Sequence, residues 1–352
     1  PTELLRSGAI LQARGLMNSQ AIQHNRDWIW PYWARRQFDP IDVSFIPRAF
    51  NVSHINLTHR NWTAIGLPGL DRMPIVDPTG LVTPHFDGWS IDAWILLPDK
   101  EPLVPCALNG VEQHMDIDGT VAVRTRSWLV SRAEVVLENG APVCRIKFEA
   151  SAPPLAWLAI SIRPYNPEGI SFVHEIKLLT KGAGWKVNDK EEVYLDQPAA
   201  RYAFSDYSQG DVFMRLQESS PDSKQAKCEV GLASAAALYA MGPAGKREIT
   251  VTVPVPPEKP KMGKPVPVIG SWMHALDGSS RMNVPDERFQ SLFDIALRTL
   301  VLHSPGDVYP GPFTYKRFWF RDAAFILDAL LCIGQVDRAE KVLDRFPSRQ
   351  LP

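Results

Sequence analysis

The stretch YKRFWFRDAAF, residues 315–325, holds residue types well suited to gripping a polar ligand. Asp322 stands where an apolar helical pattern begins, and a carboxylate at a helix start can accept backbone N–H bonds or turn its oxygens outward. Arg321 beside it carries a rigid, planar fork of donors. Trp319 adds a flat apolar face. Together they offer what a sugar ring needs: a surface for its C–H face, acceptor oxygens, and donors for its hydroxyls. A helix cap with a surface arginine explains the same residues equally well.

Other groups invite chemistry with less support. Residues 66–94, GLPGLDRMPIVDPTGLVTPHFDGWSIDAW, contain Asp71, Asp77, Asp87 and Asp92, and paired carboxylates can act as acid and base. Asp-Pro and Asp-Gly steps are usually turns, because Asp bonds its own backbone there, and turns are the preferred reading. In HMDIDG, His114, Asp116 and Asp118 alternate on one strand face. They lack the spaced acidic residue of a calcium loop, so a strand end with a turn at Gly119 is preferred. No metal and no cofactor is expected. Asn51, Asn56 and Asn61 open three N-glycosylation sequons, which a strand with one polar face also explains.

Composition narrows the partners. The 38 basic and 39 acidic residues leave a net charge of −1, with no field to attract nucleic acid or an anionic membrane. A neutral ligand such as a carbohydrate fits. No apolar run reaches membrane-spanning length, and no signal peptide is visible. Cys106, Cys144, Cys228 and Cys332 form no CxxC pair. They read as reduced and mostly buried, which favours a cytoplasmic setting. The 11 tryptophans serve either as core residues or as stacking platforms. The chain begins at Pro1 without Met and stops at Pro352 directly after a helical pattern, as expected of a piece of a longer protein.

The elements that must position these groups fall into four segments. Residues 1–40 read as a helical lead: LLRSGAILQARGLMNSQAIQ (4–23) has near-helical apolar spacing, and DWIWPYW (27–33) reads as a helix end plugged into the next domain. Residues 41–253 alternate short β-prone runs with turns. LENGAPVCRIKF carries the hairpin signal Asn139-Gly140, and strands at this spacing without amphipathic helices imply a large antiparallel β-sandwich. EVGLASAAALYAM (229–241) reads as either helix or buried strand. Residues 254–280 are a Pro-rich linker, and the 31 prolines of the chain suit edge strands and long loops.

Residues 281–352 read as helix, loop, helix, tight turn, helix. The first has Pro285 and Asp286–Glu287 in its opening turn. Its apolar stripe runs through Phe289, Leu292, Phe293, Ala296, Leu297 and Leu300. Gly334 is a stop signal. Asp337 and Glu340 form a capping box for the last helix.

This tail, with RMNVPDERFQSLFDIALRTL followed by GPFTYKRFWFRDAAFILDALLCIGQVDRAEKVLDRF, resembles the opening of the catalytic toroid of the six-hairpin glycoside hydrolases, in their glucoamylase-like branch. The resemblance implies an α+β multidomain chain: a large β-sandwich followed by the first helices of an (α/α)6 toroid. It places Trp319, Arg321 and Asp322 at the sugar-binding end and implies a carbohydrate substrate. It also implies glycosidic cleavage, inverting, by carboxylates on later helices, beyond Pro352. No catalytic residue is therefore assigned within the chain, and the chain alone is expected to be inactive. The 66–94 loop would reach over the barrel mouth. The alternatives are a sandwich module that binds carbohydrate or protein, and a glycoside phosphorylase of the same architecture. Three helices of a twelve-helix ring cannot cover their own apolar stripes, so the tail is expected to fray, to self-associate, or to dock on the sandwich.

Overall fold

A computed structural model describes residues 9, 21–22, 24–25, 27–36, 38–42, 62–107, 109–117, 119–167, 169–181, 183–216, 223–257, 268, 270–313 and 315–349. Nearly all of the helical pattern at 4–23, the three sequon asparagines and Asp118 lie outside them.

The Asn139-Gly140 turn shows how local sequence builds the body. Both residues have positive φ, 50° and 80°, as a tight hairpin turn demands. They join strand Leu129–Glu138 to strand Ala141–Ser151, with Glu138 opposite Ala141. On the second strand Cys144, Ile146, Phe148 and Ala150 point inward and are buried. Between them Arg145, Lys147 and Glu149 point outward, where Arg145 pairs with Glu138 at 2.8 Å and Lys147 with Glu149 at 2.9 Å. Period-two alternation thus gives one face to the core and one to water.

This hairpin lies within a nine-stranded antiparallel sheet. Its spatial order is Gln225–Lys227, Glu175–Leu178, Ala183–Val187, Glu191–Leu195, Lys246–Pro254, Ala141–Ser151, Leu129–Glu138, Ala122–Arg126 and Glu112–Asp116. The facing sheet has seven strands, Thr63–Ala64, Ile75–Val76, Val82–Thr83, Ser90–Leu96, Trp157–Arg163, Ser234–Ala240 and Arg201–Ser205. One large apolar cluster holds residues of both sheets, from Ile91, Ile160 and Ala237 on one to Ile146, Trp185 and Val251 on the other. The two sheets form the expected β-sandwich.

Ser234–Ala240 resolves the open reading of 229–241 as a strand. Its residues 234–239 are all buried, so no period of two is visible. The outer face is covered too: Ala236 and Leu238 pack with Ile29, Val212 and Leu216. A buried ion pair pins that cover. Arg163 Nη1 donates to Asp211 Oδ1 at 2.7 Å, Nη2 donates to the Ile29 carbonyl at 3.0 Å, and Nε donates to Tyr165 Oη at 3.0 Å. Ile29 N–H donates to Asp211 Oδ2 at 2.8 Å. Every polar atom of the guanidinium has a partner, which is what makes a charge tolerable at zero exposure. Trp28, Trp30 and Trp33 beside it are buried in the main core, as a plugged aromatic segment requires. The segment bears helix α1 (Tyr32–Arg36).

Among the described residues four α-helices follow the sandwich: α2 (Trp272–Ala275), α3 (Glu287–Leu302), α4 (Phe320–Cys332) and α5 (Val336–Leu343). α2 falls in the stretch read as linker, with Trp272 buried. Asp286 is the cap of α3, not part of its first turn. Its carboxylate accepts from the N–H groups of Arg288 and Phe289 at 2.9 and 3.2 Å. The capping box read for the last helix does not form. α5 starts one residue earlier, and its cap residue Gln335 turns its amide away to Ala275 O (3.2 Å) and Ser279 Oγ (2.7 Å). A tertiary contact has taken the place of a local one. Gly334 does end α4, at φ 83°, and a Cβ there would meet Gly278 O at 2.8 Å.

The tail docks on the sandwich. Val301 and Leu302 of α3 pack with Trp272, Met73 and Val121, and Arg298 Nη2 reaches Ile117 O at 3.4 Å. α4 and α5 share a separate small core of Val308, Ala323, Leu327, Leu330, Ala339 and Val342. Docking leaves much of the apolar surface wet: of the α3 stripe only Leu297 is buried, while Phe289, Leu292 and, on α4, Phe325 are exposed. None of the described helices is long and apolar enough to cross a membrane. No disulfide joins the cysteines; Cys144 and Cys228 are buried and Cys332 is exposed.

Candidate functional site

α3 ends at Leu302 with His303 as its cap, and the chain returns through Pro305, Gly306, Tyr309 and Pro310 to start α4 at Phe320. The end of α3, the first turns of α4 and the loop between them enclose an open cleft of about 290 Å³. Thr299 and His303 line it from α3, Tyr309 from the loop, and Asp322, Phe325 and Ile326 from α4. Helical periodicity brings Asp322 and Phe325 to the same face.

Burial sets the chemistry of the cleft. Loss of water pushes the His303 imidazole down to about 4, so it is neutral at pH 7. Its Nε2 has no partner among the described residues. The loop is pinned by Tyr309 N–H donating to His303 O at 2.9 Å. Asp322 is partly buried and its carboxylate lies 3.5 Å from Arg321 Nη2, whose side chain is 84% exposed. A neutral imidazole, one carboxylate and an aromatic edge can donate to, accept from and flank hydroxyl groups. Among the described lining residues Asp322 alone carries a carboxylate.

Of the three residues singled out by sequence, the structure places only Asp322 on the cleft wall. Arg321 stands beside it, joined through the ion pair. Trp319 occupies the cap position of α4, without a side-chain cap bond, and is exposed with the Arg317 guanidinium 5.6 Å from its ring centre. The neighbouring aromatics serve differently. Phe318, Phe320 and Phe346 pack edge-on at 5.1–5.4 Å, and Arg349 lies over Phe318 while pairing with Asp307. His303 and Tyr309 escaped the sequence reading, because only folding brings the end of one helix beside the start of the next. A histidine at a helix end just before a Pro-Gly break was the available signal.

The sandwich reaches this region through the loop at 84–88. Phe86 packs on Phe313 at 5.2 Å, and Lys316 lies 5.4 Å from the Phe86 ring centre. The carboxylates of that segment stay out of the cleft. Asp77 closes a turn, its Oδ1 accepting from Thr79 and Leu81 N–H at 2.8 and 2.9 Å. Asp87 takes a turn conformation, φ 57°, and Asp71 lies in a bend. Asp92 departs from the turn reading. It sits inside strand Ser90–Leu96, buried, accepting from Trp94 Nε1 at 2.8 Å, since its neighbours are apolar residues buried on both faces. Desolvation raises Asp77 to about 7 and Asp92 to about 6. Strand Glu112–Asp116 carries His114, and Asp116 is occupied by Arg124 at 2.9 Å and Arg132 at 3.4 Å. No cluster of metal-ligating side chains occurs among the described residues.

No model of a known protein family matches the chain, and no curated protein matches its sequence. Solved structures do. A bacterial glucoamylase in complex with acarbose superposes with a TM-score of 0.56 at 10% identity, over 83% of this chain and 50% of that one. A family GH92 inverting mannosidase and a family GH92 α-mannosidase, both from Bacteroides thetaiotaomicron, superpose more loosely. Their TM-scores are 0.42 and 0.43 at 13% and 8% identity, over 70% of this chain and 37% and 39% of theirs. The chain thus spans about half the length of the glucoamylase. It shares the fold of that half, a two-sheet sandwich followed by helices.

Proposed function

We propose that this chain is the N-terminal part of a six-hairpin glycoside hydrolase. In this reading residues 41–253 are its supporting sandwich, 254–280 the connection, and 281–352 the opening helices of an (α/α)6 toroid, with 1–40 as a lead. The cleft between α3 and α4 is one wall of the sugar site. Asp322 accepts hydrogen bonds from sugar hydroxyls, the neutral His303 offers a donor or an acceptor, and Trp319 and Arg321 close on the ring from the rim. These groups bind and orient. The cleaving acid and base are two further carboxylates outside this chain, about 6.5–9.5 Å apart for an inverting reaction. The substrate is a neutral carbohydrate.

One observation carries the reading: a helix-start carboxylate opens into a hollow beside a neutral imidazole whose Nε2 has no partner. The fold shared with the glucoamylase supports it. The test is turnover of neutral oligosaccharides by the longest form the gene encodes. Asp322→Asn is expected to lower kcat/KM by about 100-fold or more, of the order of losing one charged hydrogen bond at the reacting sugar, with thermal stability unchanged. Full activity in that variant would refute the assignment.

A further inference from the structure

All eleven tryptophans lie among the described residues, and only two are exposed, Trp319 and Trp128. Trp128 has no part in the cleft. It stands at the tip of the hairpin joining strands Ala122–Arg126 and Leu129–Glu138, 62% exposed. The hairpin is locked beneath it: Ser127 N–H donates to Leu129 O at 2.9 Å, and Leu129 N–H donates to Ser127 Oγ at 3.3 Å. The indole lines an open groove of about 510 Å³ with Asn109, Glu112, Arg126 and Ser127. Glu112 and Arg126 face each other across the strand pair, yet no ion pair joins them among the described residues.

We propose that this groove is a saccharide-binding subsite on the sandwich, separate from the Asp322 cleft. The indole face takes the C–H face of a sugar ring. Glu112 and the Asn109 carbonyl accept from its hydroxyls, and Arg126 and the Asn109 amide donate to them. One carboxylate and one guanidinium cancel, so the groove selects a neutral ligand over a polyanion. A lone indole ringed by polar groups lacks the apolar centre of a protein-docking surface. The groove is open to solvent and of a size to take an oligosaccharide. The end of the sandwich it occupies is remote from the cleft between α3 and α4. α3 touches the turn at Ile117 and Val121, whereas Trp128 lies beyond the other end of a five-residue strand, roughly 17 Å further on. The subsite does not depend on the cleft reading.

The test is affinity electrophoresis of the 352-residue chain through gels containing a neutral α-glucan, β-glucan, mannan or xylan, with Trp128→Ala, Glu112→Gln and Asp322→Ala run beside it. The expected result is retardation by at least one polysaccharide, kept in Asp322→Ala. Its dissociation constant rises at least 10-fold in Trp128→Ala and a few-fold in Glu112→Gln. Circular dichroism spectra should be unchanged, since Trp128 supports no core, and Trp128→Phe should restore part of the binding. Three results would overturn the proposal. The first is no retardation by any of the four polymers. The second is retardation lost in Asp322→Ala and kept in Trp128→Ala. The third is a change of oligomeric state in Trp128→Ala without loss of polysaccharide binding, which would mark a protein contact.

Discussion

Asp77 offers a quantitative check on the electrostatics of the sandwich. The residue is fully buried; Oδ1 accepts three hydrogen bonds from Thr79 and Leu81, while Oδ2 has none among the described residues. Desolvation dominates, with Asp92 adding repulsion, and the carboxyl rises from 3.8 to about 7. Between about pH 4 and pH 7 the folded chain therefore holds a proton that the unfolded chain has released. The contribution of Asp77 to stability falls as pH rises through that window. A displacement of this size corresponds to roughly 4 kcal/mol lost between pH 4 and pH 8. Asp77→Asn keeps the accepting oxygen and removes the charge. The Asn N–H left without a partner costs about 1–3 kcal/mol, an expense the protonated acid also bears. The variant should match the parent within about 1 kcal/mol at pH 4.5 and exceed it by about 2–4 kcal/mol at pH 8. For 352 residues melting as one unit, that is a Tm gain of roughly 3–5 °C. Urea unfolding followed by circular dichroism at six pH values reads the difference directly, because every other titrating group is common to both proteins. A difference that stays flat with pH, or grows towards acid, would refute the reasoning.

Two further perturbations probe how the pieces are held together. Arg163→Met strands the Asp211 carboxylate at zero exposure and should cost about 3–5 kcal/mol; the double change with Asp211→Asn should recover much of it, as read from urea midpoints. Leu302→Ala removes a buried side chain that meets Met73 and Trp272 where α3 sits on the sandwich. It should cost about 2–4 kcal/mol, with amide exchange in α3 accelerating before exchange in the central strands. Equal acceleration in both would show that the helices and sandwich unfold together.

Much of the fold was legible wherever a rule acts over a few residues. Asn139-Gly140 specifies its hairpin because only such residues enter positive φ at low cost. The alternation at 141–151 specifies which face is wet. Gly334 ends α4 for the same conformational reason. The sequence alone also determined that strands precede helices and that a tryptophan, an arginine and an aspartate crowd the start of α4. Tertiary structure decided what these rules do not reach. Ser234–Ala240 could not be told from a helix, because a strand covered on both faces loses its period. The last helix starts at Val336, so Asp337 lies inside it and the cap falls on Gln335, whose amide is held by Ala275 and Ser279. His303 and Tyr309 join Asp322, while Trp319 stays at the rim and Trp128 stands alone at the far end of the sandwich. Spacing along the chain says which side chains share a face of one element. Which elements face each other, and hence which polar atoms are stripped of water together, depends on packing across the whole body.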